Sequence, residues 1–133
     1  MNVEDVDIQI SLTGEWWRDP PFCEIYIDDK VIDRVHVSNK LNDEISTREV
    51  NFRGNLLYGD HKLTIRYLNK KEDDDLYDDD GVSIYHQSLM IDKIIINRLK
   101  INVYKQRSNM MFHNGDWILD FSVPTYLWLM ENT

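Results

Sequence analysis

Apolar residues that alternate with polar ones are the feature of this 133-residue chain that most limits its fold. Near the N-terminus, a period of two places four aliphatic side chains on one side of an extended segment: Val6, Ile8, Ile10 and Leu12. Alternation of this kind predicts a β-strand with one buried face. Because no segment keeps an apolar period of 3.6 residues, the sequence predicts an all-β protein.

Turn residues separate the alternating runs and indicate how the strands follow one another. The runs 22–27 and 31–37 flank a tight turn at 28–30, which predicts a hairpin. A polar loop is predicted over 38–46. The mostly polar run 47–52 follows as a strand near a sheet edge, and the segment Arg53-Gly54-Asn55 is interpreted as a break after it.

Three further apolar runs, at 61–68, 89–96 and 117–121, complete the predicted set of strands. Short strands with turn residues between them predict a jelly-roll-like antiparallel β-sandwich. We expect a single domain over residues 1–133 with an extended C-terminal tail over 122–133. Cys23 is the only cysteine, so no internal disulfide is expected, and its place in an apolar run predicts a core residue.

The charge balance narrows the classes of partner. With 24 acidic and 15 basic residues, the chain carries a formal charge of −9, which disfavours nucleic acid and anionic membranes as partners. The N-terminus shows neither the basic region nor the apolar region of a signal peptide. No apolar run approaches the roughly 20 residues of a membrane helix. We therefore expect the protein in the cytoplasm, or assembled there into something larger.

An acidic segment between two apolar runs is the strongest chemical signal. Seven of the nine residues from 72 to 80 are Asp or Glu. Such a cluster is tolerated where it is fully solvated, or where a cation such as calcium neutralises it, and both interpretations remain open.

The strands on either side of this acidic segment resemble those of calcium-dependent carbohydrate-binding modules of the xylan-binding type. The similarity covers residues 14–97 and includes a strand that ends in Asn69 and a strand that contains Asp92. The resemblance implies a jelly-roll-like sandwich in which a metal ion binds sugar hydroxyls. It implies four calcium ligands: Asn69, Asp78, Asp80 and Asp92. Two positions depart from the family pattern, since Lys70 stands in place of Asp and Asn97 in place of Gly.

Several aromatic residues outside the strands are candidates for contact with carbohydrate or with a partner chain. Trp16 and Trp17 are adjacent in a loop before two prolines, where they either cap the core or form a flat surface for a sugar ring. Tyr77 and Tyr85 flank the acidic turn and are candidates for the same surface.

No arrangement typical of an enzyme is present in the sequence. None of the four histidines has a nucleophile or a carboxylate at a spacing that recurs in catalytic triads. The glycines stand singly and form no phosphate-binding loop, and no zinc-binding motif occurs. We therefore expect a non-enzymatic protein without catalytic residues.

The C-terminal stretch suggests a role in assembly. Tyr126, Trp128 and Met130 follow Pro124, which ends the last predicted strand. We therefore expect them to lie outside the main sandwich, as assembly contacts against another chain or in a groove. Residues 121–129 also resemble the closing segment of small β-sandwich virion proteins of tailed bacteriophages. The first interpretation is thus a virion structural protein that packs against other subunits. The alternative is a calcium-dependent carbohydrate-binding module.

Overall fold

The computed structural model of the protein describes residues 2–40, 47–106 and 108–133, so residues 41–46 of the predicted polar loop lie outside it. The strands in chain order are β1 (Val3–Glu15), β2 (Phe22–Ile27), β3 (Lys30–His36), β4 (Arg48–Leu57), β5 (Gly59–Tyr67), β6 (Leu76–Tyr77), β7 (Ser83–Tyr85), β8 (Ser88–Ile96), β9 (Leu99–Lys100), β10 (Met110–Met111) and β11 (Gly115–Val123). The α-helices are α1 (Val103–Gln106) and α2 (Thr125–Asn132), and a 3-10 turn covers Glu72–Asp74.

Two antiparallel sheets form a β-sandwich, as predicted. One sheet has the order β10-β8-β1-β4, with β9 paired to β8, and the other has the order β11-β5-β2-β3. The β2–β3 hairpin is confirmed, and β4 lies at the edge of its sheet. β6 and β7 pair only with each other and form a separate two-stranded ribbon.

The core lies between the two sheets and is built from the alternating residues of their strands. Ile8 and Ile10 of β1 and Ile94 of β8 contribute from one sheet, and Ile25 and Leu63 contribute from the other. Cys23 is buried as predicted, and burial raises the pKa of its thiol to about 12. The thiol is therefore protonated and contributes apolar packing.

β4 does not break at Gly54, in contrast to the interpretation of residues 53–55 as an interruption. The strand continues to Leu57 and pairs with β1 along its whole length. A Cβ atom on Gly54 would lie 2.9 Å from Cζ of Phe52, so this glycine makes room for a neighbouring ring within the strand. Here a glycine indicates a close approach of atoms and not a turn.

The acidic segment contains regular structure. Glu72–Asp74 form the 3-10 turn, and residues 76–85, which we call the arm, comprise β6, a tight turn and β7. In that turn the N–H of Asp78 donates to the carbonyl of Val82 at 2.9 Å, and Gly81 adopts a left-handed φ of +80°. The arm returns to the sandwich at residues 86–87, next to the start of β8.

The predicted extended C-terminal tail is wrong in conformation, because residues 125–132 form helix α2 after β11 ends at Val123. The helix packs through Leu129, which is 3% exposed, and its start is fixed where the N–H of Thr125 donates to Glu4 at 3.1 Å. An apolar stretch that reaches the core once per turn is stabilised as a helix by that packing. Neither helix described here has the length and apolar character that a membrane span requires.

Candidate functional site

An exposed group of aromatic side chains lies where the loop before β2 meets the arm. The rings of Trp17 and Tyr85 stack with centroids 5.6 Å apart and planes inclined by 20°. Trp17 is 36% exposed, Tyr85 is 49% exposed and Tyr77 on the neighbouring strand is 56% exposed. We call Trp17, Tyr77 and Tyr85 the aromatic surface. Large aromatic rings held open to solvent are typical of binding surfaces.

The arm also carries exposed aliphatic side chains next to its three aspartates. Leu76, Val82 and Ile84 all present their side chains to solvent. A ribbon of two short strands is too small to form a core of its own, so these side chains stay exposed. The arm therefore presents apolar and acidic side chains together at the end of the sandwich.

A polar groove of about 430 Å³ runs beside the aromatic surface. Tyr77 forms one wall, and Lys71, Glu72, His113 and Asn114 contribute polar groups. One aromatic residue and six polar or charged residues line the groove, so it can offer hydrogen-bond donors and acceptors to a polar ligand.

The loop under the aromatic surface is held by hydrogen bonds from residues 17 and 18. The indole N–H of Trp17 donates to the carbonyl of Asp74 at 2.7 Å. The guanidinium of Arg18 pairs with the carboxylate of Asp73 at 2.7 Å. Because Arg18 and Asp73 are both well exposed, that ion pair contributes little stability, and the buried end of the Trp17 hydrogen bond carries more of the orientation.

Lys70 connects the two ends of the arm. Its ammonium nitrogen lies 2.6 Å from Oδ1 of Asp75, directly before β6, and also donates to the carbonyl of Gln87, directly before β8. The Lys70 side chain is only 9% exposed. Its backbone is held by Asn114, which accepts from the Lys70 N–H at 2.8 Å and donates to the Lys70 carbonyl at 3.0 Å.

Gln87 extends this polar network into the sandwich. Its amide oxygen accepts a hydrogen bond from the hydroxyl of Tyr67, and its amide N–H donates to the carbonyl of Asp19 at 2.8 Å. Burial raises the pKa of Tyr67 well above its usual value, and the carboxylates of Asp74 and Asp75 add to the increase. The Tyr67 hydroxyl therefore keeps its proton and remains a donor to Gln87.

Groups of the chain itself pair with three adjacent carboxylates of the acidic segment, those of residues 73–75. Asp73 is paired with Arg18 and Asp75 with Lys70. Asp74 is buried and accepts from the N–H of Lys71 at 2.8 Å. The sequence left two alternatives open, a fully solvated loop and a loop around a metal ion. The structure adds a third for residues 73–75, in which side-chain cations and a backbone N–H group interact with the carboxylates.

The four expected calcium ligands are not brought together. In the part of the chain that the structure describes, no three His, Cys, Asp or Glu side chains are grouped closely enough to hold a metal ion. Asn69 uses its amide on the backbone, accepting from the N–H of Phe22 at 2.7 Å and donating to the carbonyl of Pro20 at 3.0 Å. Asp78 accepts from the N–H groups of Asp80 and Val82 within its own turn.

Asp92 lies at an irregularity of β8, where the pairing with β1 skips it between Lys93 and Ile91. Thr13 donates its hydroxyl proton to the Asp92 carboxylate. Burial raises the pKa of Asp92, while this hydrogen bond opposes the increase. The residues therefore do not fit a calcium ion shared by Asn69, Asp78, Asp80 and Asp92. The three carboxylates are not grouped, and the hydrogen bonds of Asn69, Asp78 and Asp92 lie inside the fold.

The two adjacent tryptophans have different surroundings. Trp16 is half-buried, donates its indole N–H to the carbonyl of Ser38 at 3.2 Å, and lies under the ammonium of Lys40. Trp17 instead joins the aromatic surface. Of the four aromatic residues singled out from the sequence, the structure therefore brings Trp17 and Tyr85 into contact, and Tyr77 lies on the strand paired with that of Tyr85.

Of the three C-terminal residues expected at an interface, two are exposed and the third packs against the core. Tyr126 and Met130 face solvent on α2. Trp128 packs against the core, with its ring edge-on to Phe121 at a centroid distance of 6.3 Å. The expectation that Trp128 lies outside the sandwich is wrong, because the helical conformation turns it toward β11.

Lys70 and Gln87 are the residues of this site that the sequence analysis missed as partners. The available signal was that Lys70 is a basic residue next to a run of seven carboxylates. Gln87 carried no signal, because its role depends on the arm returning to the start of β8.

No protein-family model matches the chain. No curated protein sequence matches it. Among solved structures, the chain is similar to the selenomethionine form of vCBM60, from work that links two families of calcium-dependent carbohydrate-binding modules by circular permutation. That match has 9% identity and a TM-score of 0.57, and covers 85% of this chain and 88% of the other. A structure of vCBM60 in complex with galactobiose matches at 8% identity and a TM-score of 0.55, covering 84% and 95%. At this identity the similarity shows the shared β-sandwich fold.

Proposed function

We propose that this protein is a non-catalytic carbohydrate-binding module whose ligand lies on the aromatic surface. The observation that carries the proposal is the exposed pair of stacked rings, Trp17 and Tyr85. The indole of Trp17 is held by the carbonyl of Asp74, and the exposed Tyr77 lies on the strand paired with that of Tyr85. The fold shared with vCBM60, which was solved in complex with galactobiose, supports the same class of ligand.

The chemistry of a sugar suits this surface. A pyranose ring has faces of C–H groups with a small positive charge, which pack on the negative face of an aromatic ring. Its hydroxyl groups need donors and acceptors at the rim. Glu72, Lys71 and His113 in the groove beside Tyr77 supply both.

The direct test is titration calorimetry of the purified protein with neutral oligosaccharides, of which galactobiose is the first choice. Tyr85→Ala and Tyr77→Ala should each weaken binding about tenfold or more, because each removes one stacking face. Tyr58→Ala is a matched control. Tyr58 is equally exposed, but it stands before β5, at the opposite end of that strand from the arm, about 27 Å away by strand length.

Equal loss of affinity in Tyr58→Ala and Tyr85→Ala would contradict a role for the aromatic surface. Absence of heat with every neutral, acidic and amino-sugar oligosaccharide tested would contradict the carbohydrate proposal as a whole.

A second candidate function is that of a subunit in a larger protein assembly, such as a virion. The observation in its favour is the exposed apolar face of α2, formed by Tyr126, Leu127 and Met130. Neither structural neighbour is a virion protein, so this candidate depends on that face alone. Light scattering after size-exclusion chromatography separates the two candidates, since only the second requires the protein to self-associate or to need a protein partner.

A further inference from the structure

The acidic segment carries the arm, and the arm carries two of the three rings of the aromatic surface. A polypeptide ribbon of two short strands is only marginally stable by itself. Something at its base must therefore keep Tyr77 and Tyr85 in position.

We propose that the ammonium of Lys70 closes the base of the arm in the role that a metal ion would otherwise have, so that the aromatic surface forms without calcium. Lys70 is thus a positioning residue for the surface. Its consequence for sugar binding depends on the function proposed above, whereas its effect on the arm does not.

The first support is the position of the Lys70 nitrogen. It contacts one residue at each end of the arm, the carboxylate of Asp75 and the carbonyl of Gln87. A single positive charge that joins two oxygen ligands distant in sequence acts as a cross-link, as a bound cation does. Gln87 is buried and also linked to Tyr67, so the cross-link is anchored in the core.

The second support is burial. The Lys70 side chain is 9% exposed and that of Asp75 is 22% exposed. Charges that have lost most of their water require a partner, and removing one of two such partners leaves the other uncompensated. Removal of either Lys70 or Asp75 would therefore leave a largely buried charge without its partner. The pair of Arg18 and Asp73 differs, because both side chains are exposed.

The third support is the distribution of the remaining carboxylates. No three acidic, His or Cys side chains of the residues described are grouped around a possible metal position. Asn69 and Asp74 are engaged with backbone groups. At the base of the arm, Lys70 supplies a positive charge next to the carboxylate of Asp75.

Hydrogen–deuterium exchange by mass spectrometry on the full chain without sugar tests the proposal. In the wild-type protein, exchange of the arm should be the same in millimolar calcium chloride and in chelator. Lys70→Met keeps the aliphatic stem and removes the ammonium, so amides of residues 78–82 should exchange about tenfold faster or more, while β8 is unchanged. Lys71→Met is the matched control, because Lys71 is exposed and contacts the 3-10 turn through its backbone N–H.

Slower exchange of the wild-type arm in calcium would overturn the proposal, as would unchanged exchange in Lys70→Met. If Lys70→Met does not fold, Asp75→Asn is the second variant, because it keeps the ammonium of Lys70 and removes the carboxylate charge of its partner. Faster exchange confined to the arm in Asp75→Asn supports the proposal. Unchanged exchange refutes it. A failure to bind any oligosaccharide would count against the proposed function only, since no sugar takes part in this experiment.

Discussion

Single residues in this protein act mainly by satisfying charge inside the fold. Lys70 and Arg18 each pair with a different member of the acidic segment, and Asp74 is satisfied by a backbone N–H. His61 follows the same principle at the other end of the sandwich. Its Nδ1 lies 2.8 Å from Oδ2 of Asp28 and its Nε2 lies 2.6 Å from the carbonyl of Leu57. Both ring nitrogens face acceptors, which favours the doubly protonated ring.

The His61 pair makes stability depend on pH in a predictable direction. Burial lowers the pKa of His61, but the Leu57 carbonyl and the Asp28 carboxylate raise it more, and the net change is an increase above 6.5. The stabilisation is therefore complete below about 6.5 and is lost as the pH rises through the folded-state pKa. Compared with wild type, His61→Gln should lose more free energy of unfolding at about pH 5.5 than at about pH 8.5 in urea titrations.

His113→Gln provides the control for that experiment, because it removes an exposed imidazole that is not the one bound by Asp28 and Leu57. A loss in His61→Gln that stays constant or grows toward alkaline pH would contradict the argument.

At the scale of elements, two short segments outside the two main sheets carry the proposed binding surfaces. The arm presents Tyr77 and Tyr85, and its position depends on contacts at its base. Helix α2 closes the apolar end of the sandwich with Leu129 and Trp128 while Met130 faces solvent. Each element thus has a buried side that anchors it and an exposed side that is available to a ligand or partner.

Adjacent residues of α2 should respond very differently to truncation. Leu129→Ala should lower the free energy of unfolding by about 2–5 kcal/mol, because it leaves a cavity in the core. Met130→Ala should change it by no more than about 0.5 kcal/mol, because Met130 is 78% exposed. Chemical denaturation of both variants measures the difference. Equal effects would show that α2 does not pack as described.

At the scale of the whole molecule, one hydrophobic core joins both sheets and α2. The chain is strongly acidic, and residues 18 and 70 pair with two of the seven carboxylates in its densest acidic segment. The arm and the loop that contains Trp17 meet at one end of this core, while Tyr58 and His61 lie at the other end of β5. The proposed ligand surface is therefore an end of the sandwich and not a sheet face.

We predict that residues 1–133 unfold as one cooperative domain. Trp16 and Trp17 report on the loop near the arm, whereas Trp117 and Trp128 report on β11 and α2. Tryptophan fluorescence and far-ultraviolet circular dichroism should therefore give coincident urea transitions. A fluorescence transition that precedes the loss of strand signal would show that one end of the sandwich unfolds separately.

The amino-acid sequence by itself determined the strands and their buried faces. Period-two alternation identified the strands around Ile8, Ile25 and Ile65, since side-chain burial in a sheet follows directly from that period. It also identified the acidic segment and exposed aromatic candidates such as Tyr85. The sequence did not predict which residue each charged side chain pairs with, because these pairs depend on contacts between residues far apart in the chain.

Only the tertiary structure decided how the acidic segment is balanced and where the last residues lie. Gln87 reaches Tyr67 and Lys70 because the arm returns to the base of β8, a contact that no local pattern encodes. Residues 125–132 form a helix that places Leu129 in the core, and packing outweighs weak local preference in so short a segment. Asp92 accepts a hydrogen bond from Thr13 because a half-buried carboxylate is satisfied by the donor that the fold places next to it.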